Sequence, residues 1–209
     1  EAYGWYMGAQ MGLRQMEFTK DQIEAMARGM IAVASGAKPE FDSKEIGPEV
    51  EAFLSKKSGA YMTKLRLENL TEGVAFFTKL KENKNVVELP SGLRYEITKA
   101  GTGPEPKVGQ QVKIHYTGSL ISGQVFDSSV EHGQPVDLLL EPGSLIPGML
   151  EGVQKVGVGG KIKLYIPPDL AYGDQGSQAI PPGATLIFDV ELLAANDATK
   201  GAAAPDPAK

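Results

Sequence analysis

Few side chains in this sequence could carry covalent or metal chemistry. It has no cysteine, which excludes disulfides, thiol nucleophiles and zinc–thiolate sites. Its two histidines, His115 and His132, are too few for a multi-histidine metal site. His115 alternates with apolar neighbours on a predicted strand and His132 falls in a polar stretch, so a Ser-His-Asp triad has little support. No glycine-rich phosphate loop stands in a suitable context either.

Ligand binding in an apolar pocket is better supported than covalent catalysis. Asp127 directly follows Phe126. A carboxylate beside aromatic side chains is not expected in a plain core, so it favours a binding pocket. Tyr172 lies in a glycine-containing loop, where a core tyrosine is less expected. An apolar pocket with a few placed polar groups is a ligand site by default. The alternative is that all these residues are core, which for Ile146 and Phe188 is partly expected.

The stretch from Leu164 to Leu193 organises this part of the chain. Two apolar runs, Lys161–Ile166 and Thr185–Leu192, predict strands. Between them stand two Pro-Pro pairs, and proline cannot donate to a sheet ladder. A long, proline-stiffened loop with apolar and aromatic side chains is more often a binding wall than a plain connection.

The first 85 residues carry helical periodicity and almost no strand signals. Thr19, with Gln22 three residues later, predicts a capped helix start, and Gly36 fits its end. A long helix is predicted from near Ser43 or Pro48 to about Asn83. The tripeptide 69–71 matches a glycosylation motif, but its place inside this helix argues against glycosylation there.

These helices are too few and too thin to close a core alone. A homodimer is the simplest source of a second apolar surface, and the alternative is that the helices fold back on the C-terminal part. A methionine-rich set could form an adaptable client-binding surface, although core or dimer interface is more common.

From Val86 onward the apolar pattern alternates with a period of two. It predicts five or six antiparallel strands with one short helix over Ile146–Val156, hence an α+β fold. The residues after Ala194 have too little apolar surface to fold, so 195–209 are predicted to be a disordered tail. The resulting boundaries are 1–86 for a helical domain, with its long helix at about 46–84, and 87–194 for the sheet domain.

Composition and net charge argue against some classes of binding partner. The net charge of −5 and pI of about 5.2 argue against a nucleic-acid partner, which would need a basic stripe. No apolar run approaches the ~18 residues that predict a membrane span. The sequence therefore predicts no nucleic acid, no membrane span, no metal and no cofactor.

Several motifs in order then give a specific resemblance. They are Val125-Phe126-Asp127-Ser128-Ser129, Ile146-Pro147-Gly148 with Glu151-Gly152-Val153, Ile166-Pro167-Pro168 with Leu170-Ala171-Tyr172-Gly173, and Ile180-Pro181-Pro182 followed by 185–192. Over 88–194 the chain resembles the FKBP-type peptidyl-prolyl isomerase domain. Residues 1–86 resemble the N-terminal dimerisation domain of the bacterial periplasmic and macrophage-infectivity-potentiator type.

The resemblance implies a half-barrel sheet wrapped on the short helix, with a prolyl pocket between them. The residues that it implies as catalytic are Phe126, Asp127, Tyr172 and Phe188. Those that it implies as substrate-binding are Tyr116, Val136, Leu145, Ile146, Met149 and Ile180. Three departures bear on catalytic rate and inhibitor affinity: Met149 replaces the usual tryptophan, Val136 replaces a frequent aromatic, and the loop at 176–180 is shorter and polar.

The resemblance also implies activity, partners and location. It implies rotation of Xaa-Pro bonds in folding proteins, with chaperone activity beside it; the alternative is a non-catalytic holdase or binding module that uses the same pocket. Implied partners are unfolded or proline-containing polypeptides, macrolide inhibitors of the family and a second copy bound through residues 1–86. The implied location is periplasmic or otherwise exported, after removal of a signal peptide, with outer-membrane association as the alternative.

Overall fold

The computed structural model describes residues 1–39 and 41–197. The chain forms two compact units, Glu1–Leu65 and Arg66–Lys209. The division falls inside the long helix, before the predicted domain boundary at 86/87. Within the described ranges, no helix combines the length and apolar character that a membrane crossing requires.

The helical elements are α1 (Ala2–Gln10), α2 (Lys20–Ala34) and α3 (Ser43–Leu80), of which α3 continues into the second unit. The predicted start of α2 is confirmed: the Thr19 hydroxyl accepts from the Gln22 N–H at 3.3 Å, and the Gln22 side chain accepts from the Thr19 N–H at 3.0 Å. This capping box satisfies N–H groups that have no partner inside the helix.

The first unit has few internal contacts between its helices. Phe18 packs edge-on against Phe53 with ring centroids 5.8 Å apart. The Lys57 ammonium lies 5.2 Å from the Phe18 ring centre and donates to the Glu17 carbonyl oxygen at 2.7 Å. No residue of α1 or α2 is buried.

The second unit is built on a seven-stranded sheet in the order β1-β2-β6-β7-β3-β4, with β5 paired to β3. All its strand pairs are antiparallel. The strands are β1 (Val87–Glu88), β2 (Arg94–Lys99), β3 (Gln110–Leu120), β4 (Val125–Ser128), β5 (Val136–Leu139), β6 (Lys161–Ile166) and β7 (Leu186–Asp197). The short helix α4 (Pro147–Val153) lies between β5 and β6, and a 3-10 turn (Pro168–Leu170) follows β6.

The core of this unit lies between the sheet and α4. Apolar side chains that alternate along β3, β6 and β7 share one buried face, as the two-residue period predicts. Gly148 and Gly152 of α4 let the helix approach β6 closely, since a Cβ at either position would collide with Ile166 or Leu164. The predicted α+β architecture, with helices first and then an antiparallel sheet with one short helix, is thereby confirmed.

Some predicted element bounds differ from the structure. The short strand β1 escaped prediction because two residues carry no periodicity. The predicted tail at 195–209 is wrong for its first residues, because β7 runs to Asp197 and pairs Ala195 with Val112. Backbone pairing with β3 holds these residues although their side chains add little apolar area. Residues 198–209 lie outside the described residues.

Candidate active site

One cavity of about 360 Å³ opens in the second unit, lined by residues of β3, β4, β5, α4 and its preceding turn, the β6–β7 loop and β7. Its lining is mostly apolar, with a carboxylate, two tyrosines and two serines as polar groups. The lining residues are Tyr116, Phe126, Asp127, Leu138, Ser144, Leu145, Ile146, Met149, Tyr172, Ser177, Ala179, Ile180 and Phe188.

Three aromatic rings form one wall of this cavity. Phe188 of β7 is nearly buried and packs edge-on against Phe126, with ring centroids 5.6 Å apart. Tyr116 is tilted against Phe188 at 6.0 Å. Gly118 makes the cluster fit, because a Cβ there would lie 2.6 Å from the Phe126 ring and 2.9 Å from Phe188.

Asp127 is the charged group of the site. The Tyr116 hydroxyl donates to its Oδ2 at 2.5 Å. Its other oxygen, Oδ1, lies 3.9 Å from Nδ1 of the exposed His132. Burial, and then the hydrogen bond to Asp127, raise the pKa of Tyr116 to about 12. Tyr116 therefore stays protonated and can keep donating to the carboxylate throughout the neutral range.

The other side of the cavity comes from α4 and the β6–β7 loop. Met149 and Ile180 are both nearly buried, whereas Tyr172 is 41% exposed at the rim. Ile146 is the N-cap of α4, and a residue in that position gives its N–H no partner within the helix. The pocket therefore presents an apolar floor, with a phenol and a backbone N–H near its entrance.

The structure brings all the sequence-predicted site residues into this lining except Val136. Val136 pairs with Ile114, and the next residue on the same face of β5, Leu138, lines the cavity in its place. The two residues stand at different positions along β5, and only that of Leu138 borders the cavity.

Sequence reasoning missed Leu138 and Ser144 of the lining, together with Gly118 behind it, and it singled out Ser177 and Ala179 only as part of the polar loop at 176–180. The two-residue period of β5 pointed to Leu138 as well as to Val136. A glycine inside a strand was a signal for Gly118, because it often marks a close approach.

Neither His115 nor His132 lines this cavity. Nδ1 of His115 lies 3.0 Å from Oγ of the buried Ser129. Throughout the described ranges, no group of three or more His, Cys, Asp or Glu residues is arranged to hold a metal ion.

Comparison with known proteins matches both parts of the chain to family models. Residues 103–193 match the model described as FKBP-type peptidyl-prolyl cis-trans isomerase. Residues 1–97 match the model of the domain amino terminal to FKBP-type peptidyl-prolyl isomerase.

The relatives extend the similarity over most of the chain. The FKBP-type peptidyl-prolyl cis-trans isomerase FkpA of Escherichia coli K12 is 37% identical over 194 residues, which are 91% of this chain and 70% of that protein. A probable FKBP-type peptidyl-prolyl cis-trans isomerase of Haemophilus influenzae is 37% identical over 94% of this chain and 85% of its own. Outer membrane protein MIP of Legionella longbeachae is 36% identical over 84% of this chain and 76% of its own length.

A solved structure agrees with these sequence relatives. The crystal structure of FkpA from Escherichia coli matches with a TM-score of 0.74 at 36% identity, over 94% of each chain. With identities above a third along most of both chains, and with the apolar pocket between sheet and short helix, the chain belongs to the family of FKBP-type peptidyl-prolyl cis-trans isomerases.

Proposed function

We propose that the cavity of the second unit is the prolyl site, and that it rotates Xaa-Pro bonds by taking the amide out of water beside one oriented carboxylate. The observation that carries this proposal is the short Tyr116–Asp127 hydrogen bond at the edge of the three-ring wall. It fixes a single carboxylate in a cavity that is otherwise mostly apolar.

Desolvation lowers the barrier because of the electronic structure of the amide. Resonance gives the C–N bond partial double-bond character and a rotation barrier of ~18–20 kcal/mol. Resonance also separates charge between oxygen and nitrogen, and an apolar surrounding disfavours that separation. When the substrate enters the pocket, the planar amide therefore loses more stabilisation than the twisted amide. The free-energy barrier to rotation falls as a result.

The rings and Met149 would supply this apolar surrounding. Phe126, Phe188 and Met149 all line the cavity; in this proposal the two rings contact the proline ring from the wall and Met149 forms the floor. A methionine is narrower and more flexible than the tryptophan usual in the family. We expect it to bind macrolide inhibitors less tightly while leaving room for a prolyl ring.

The polar groups would orient the substrate. The Tyr172 hydroxyl and the Ile146 N–H would donate to substrate carbonyl oxygens, and Asp127 would act on the twisted amide through its charge. Proton transfer and a nucleophile have no role in this scheme. A 10³-fold acceleration requires only about 4 kcal/mol of transition-state stabilisation, which is within reach of desolvation and a few hydrogen bonds.

The test is isomerisation of a short proline-containing peptide by wild type, Asp127→Ala and Tyr172→Phe. We expect wild type to exceed the spontaneous rate and Asp127→Ala to lower kcat/KM at least tenfold, about 1.4 kcal/mol, because the charge is lost and the Tyr116 hydroxyl loses its acceptor. Tyr172→Phe should lower it less, since one hydrogen bond to the substrate is removed. A wild-type rate equal to the spontaneous rate would sink the proposal.

A second function, holding unfolded clients, is favoured by the first unit. Trp5 and Tyr3 are more than 70% exposed, and a cavity of about 670 Å³ is lined there by α1, α2 and the residues between them. We propose that residues 1–86 form a homodimer and that its remaining apolar surface receives clients. Suppression of client aggregation by the Asp127→Ala variant tests this: an undiminished effect supports a separate holding site, and a lost effect assigns clients to the prolyl pocket.

We also propose that the protein works outside the cytoplasm, in the periplasm or at the outer membrane. The support is the Legionella longbeachae relative, which is named an outer membrane protein. Fractionation of cells that produce the protein tests the proposal, and recovery with cytoplasmic markers would contradict it.

A further inference from the structure

The loop between β6 and β7 carries four residues of the pocket lining yet belongs to no strand. Tyr172, Ser177, Ala179 and Ile180 all lie on it. A backbone hydrogen bond from the Gly183 N–H to the Gly173 carbonyl oxygen, 3.0 Å long, closes the base of this loop, and Ser177 and Ile180 exchange two more inside it. Ser177, Ala179 and Ile180 lie within this closure and Tyr172 directly precedes it, so the closure stands next to all four lining residues.

Helix α3 holds both sides of that closure. The Asn69 side chain donates from Nδ2 to the carbonyl oxygen of Pro182, next to Gly183, at 2.8 Å. Nη1 of Arg66 pairs with Oδ1 of Asp174, next to Gly173, at 3.1 Å. Residues 66 and 69 are three apart and so lie on the same helix face. All these residues belong to the second compact unit.

The backbone of α3 lies close to the chain that follows the loop. A Cβ at Gly73 would lie 2.6 Å from Oγ1 of Thr185, which is almost fully buried. Two turns earlier, the Arg66 carbonyl oxygen is 3.0 Å from where a Cβ on Gly183 would stand. Small residues on both sides thus let the Asn69 amide reach a backbone carbonyl.

Further along α3, aromatic contacts anchor the helix to the sheet domain. Phe76 lies against Tyr165 with ring centroids 5.9 Å apart. Phe77 stacks under the Arg94 guanidinium, whose Cζ is 4.1 Å from the ring centre. These contacts fix the later part of α3 against the sheet. Arg66 and Asn69 lie on the part of the same helix that precedes it.

We propose that Asn69 is a positioning residue for the prolyl pocket: it holds the loop closure from α3 and thereby sets the place of Tyr172 and Ile180. Arg66 assists, but less, because it and Asp174 are substantially exposed and such pairs contribute little. The Asn69 bond is partly buried, and Pro182 offers only its carbonyl oxygen, because proline has no N–H. This inference rests on the proposed prolyl site.

The test uses the full chain with Asn69→Asp, which keeps the shape of the side chain and removes its donor. We expect kcat/KM for a short prolyl peptide to fall about fivefold, the effect of one net hydrogen bond. The loss should appear as a higher KM with kcat little changed, since loop contacts bind substrate and transition state alike. The matched control is Glu68→Gln, which exchanges a carboxylate for an amide on the adjacent, exposed residue. We expect kcat/KM to be unchanged in this control.

Loop position is measured independently by NMR signals of the Ile180 methyl groups and the Tyr172 ring, which we expect to shift in Asn69→Asp and not in Glu68→Gln. Unchanged signals together with unchanged KM would overturn the proposal, even if the melting temperature falls. Should Asn69→Asp not fold, Arg66→Glu replaces it: KM should rise about twofold, and the added Asp174→Arg change should restore it. Failure to restore also overturns the proposal. If wild type itself lacks isomerase activity, the proposed function fails, while the NMR signals still decide the positioning.

Discussion

The two compact units differ in how far their apolar side chains are buried. In the second unit, the apolar residues of β3, β6 and β7 and of α4 form one buried core. In the first unit, α1 and α2 bury no residue, and Trp5, Ile31 and Val33 are each more than two-thirds exposed. Exposed apolar area on this scale is costly in water and usually marks an interaction surface. The second unit thus closes its own core, whereas the first leaves apolar side chains exposed, which is what supports the proposed homodimer.

The largest effect that would sharpen this contrast comes from a charge in the first unit. We place the exposed Trp5 in the interface of the proposed homodimer, so that dimer formation by Trp5→Glu would bury an unpaired carboxylate. We expect the dimer dissociation constant to rise at least a hundredfold, about 2.7 kcal/mol, while kcat/KM on short peptides stays within twofold. Light-scattering mass against concentration measures the first, and a peptide assay the second.

The matched control for Trp5→Glu is Gln10→Glu, which puts the same charge on an exposed polar position of α1. Its dissociation constant should change by less than tenfold. A wild-type chain that is monomeric at every concentration would contradict the proposed homodimer, because the exposed apolar side chains of the first unit would then have no partner in solution.

A glycine in each unit offers the next test. Gly118→Ala places a methyl group 2.6 Å from Phe126, so the rings must move. We expect the free energy of unfolding to fall by about 1–3 kcal/mol, with a lower kcat/KM. Gly59→Ala in α3 meets open space within the chain and should stabilise its helix by about 1 kcal/mol. Urea denaturation measures both. If both substitutions changed the free energy of unfolding equally, the expected difference in packing around Gly118 and Gly59 would be contradicted.

The smallest effect is on pH dependence. Burial first, and then acidic neighbours, raise the pKa values of Tyr116 and Tyr165 from 10.0 to about 12. The folded chain therefore keeps protons that the unfolded chain loses, so stability should be full below pH 10 and fall as the pH rises from about 10 to 12.

Tyr116→Phe should make that fall shallower, because one of the two raised pKa values is gone. The free energy of unfolding in urea at several pH values between 9 and 12 measures it. A stability that rises with pH in this range would contradict the pKa direction.

Local sequence signals predicted the elements well where the physics is local. Thr19 and Gln22 stand three apart, so their capping box needs nothing from the rest of the chain. Strand alternation likewise predicted the core face of the sheet. β7 extends beyond its predicted end because it pairs with β3, and Ala195 there also packs, partly buried, against the core.

The site was less accessible to sequence reasoning because it depends on distant pairings. The Tyr116–Asp127 bond requires the register of β3 against β4, in which Gly118 pairs with Asp127. The family resemblance gave the residue types of the pocket, yet it named Val136 where Leu138 reaches the cavity. Contacts from α3 to the pocket loop carry no sequence pattern at all.

We propose that the rotation of Xaa-Pro bonds takes place in the pocket of the second unit. The most direct measurement is kcat/KM on one short prolyl peptide for wild type, Trp5→Glu and Asp127→Ala side by side. We predict that Trp5→Glu stays within twofold of wild type and Asp127→Ala falls at least tenfold. Activity that survives in Asp127→Ala but is lost in Trp5→Glu would contradict the claim.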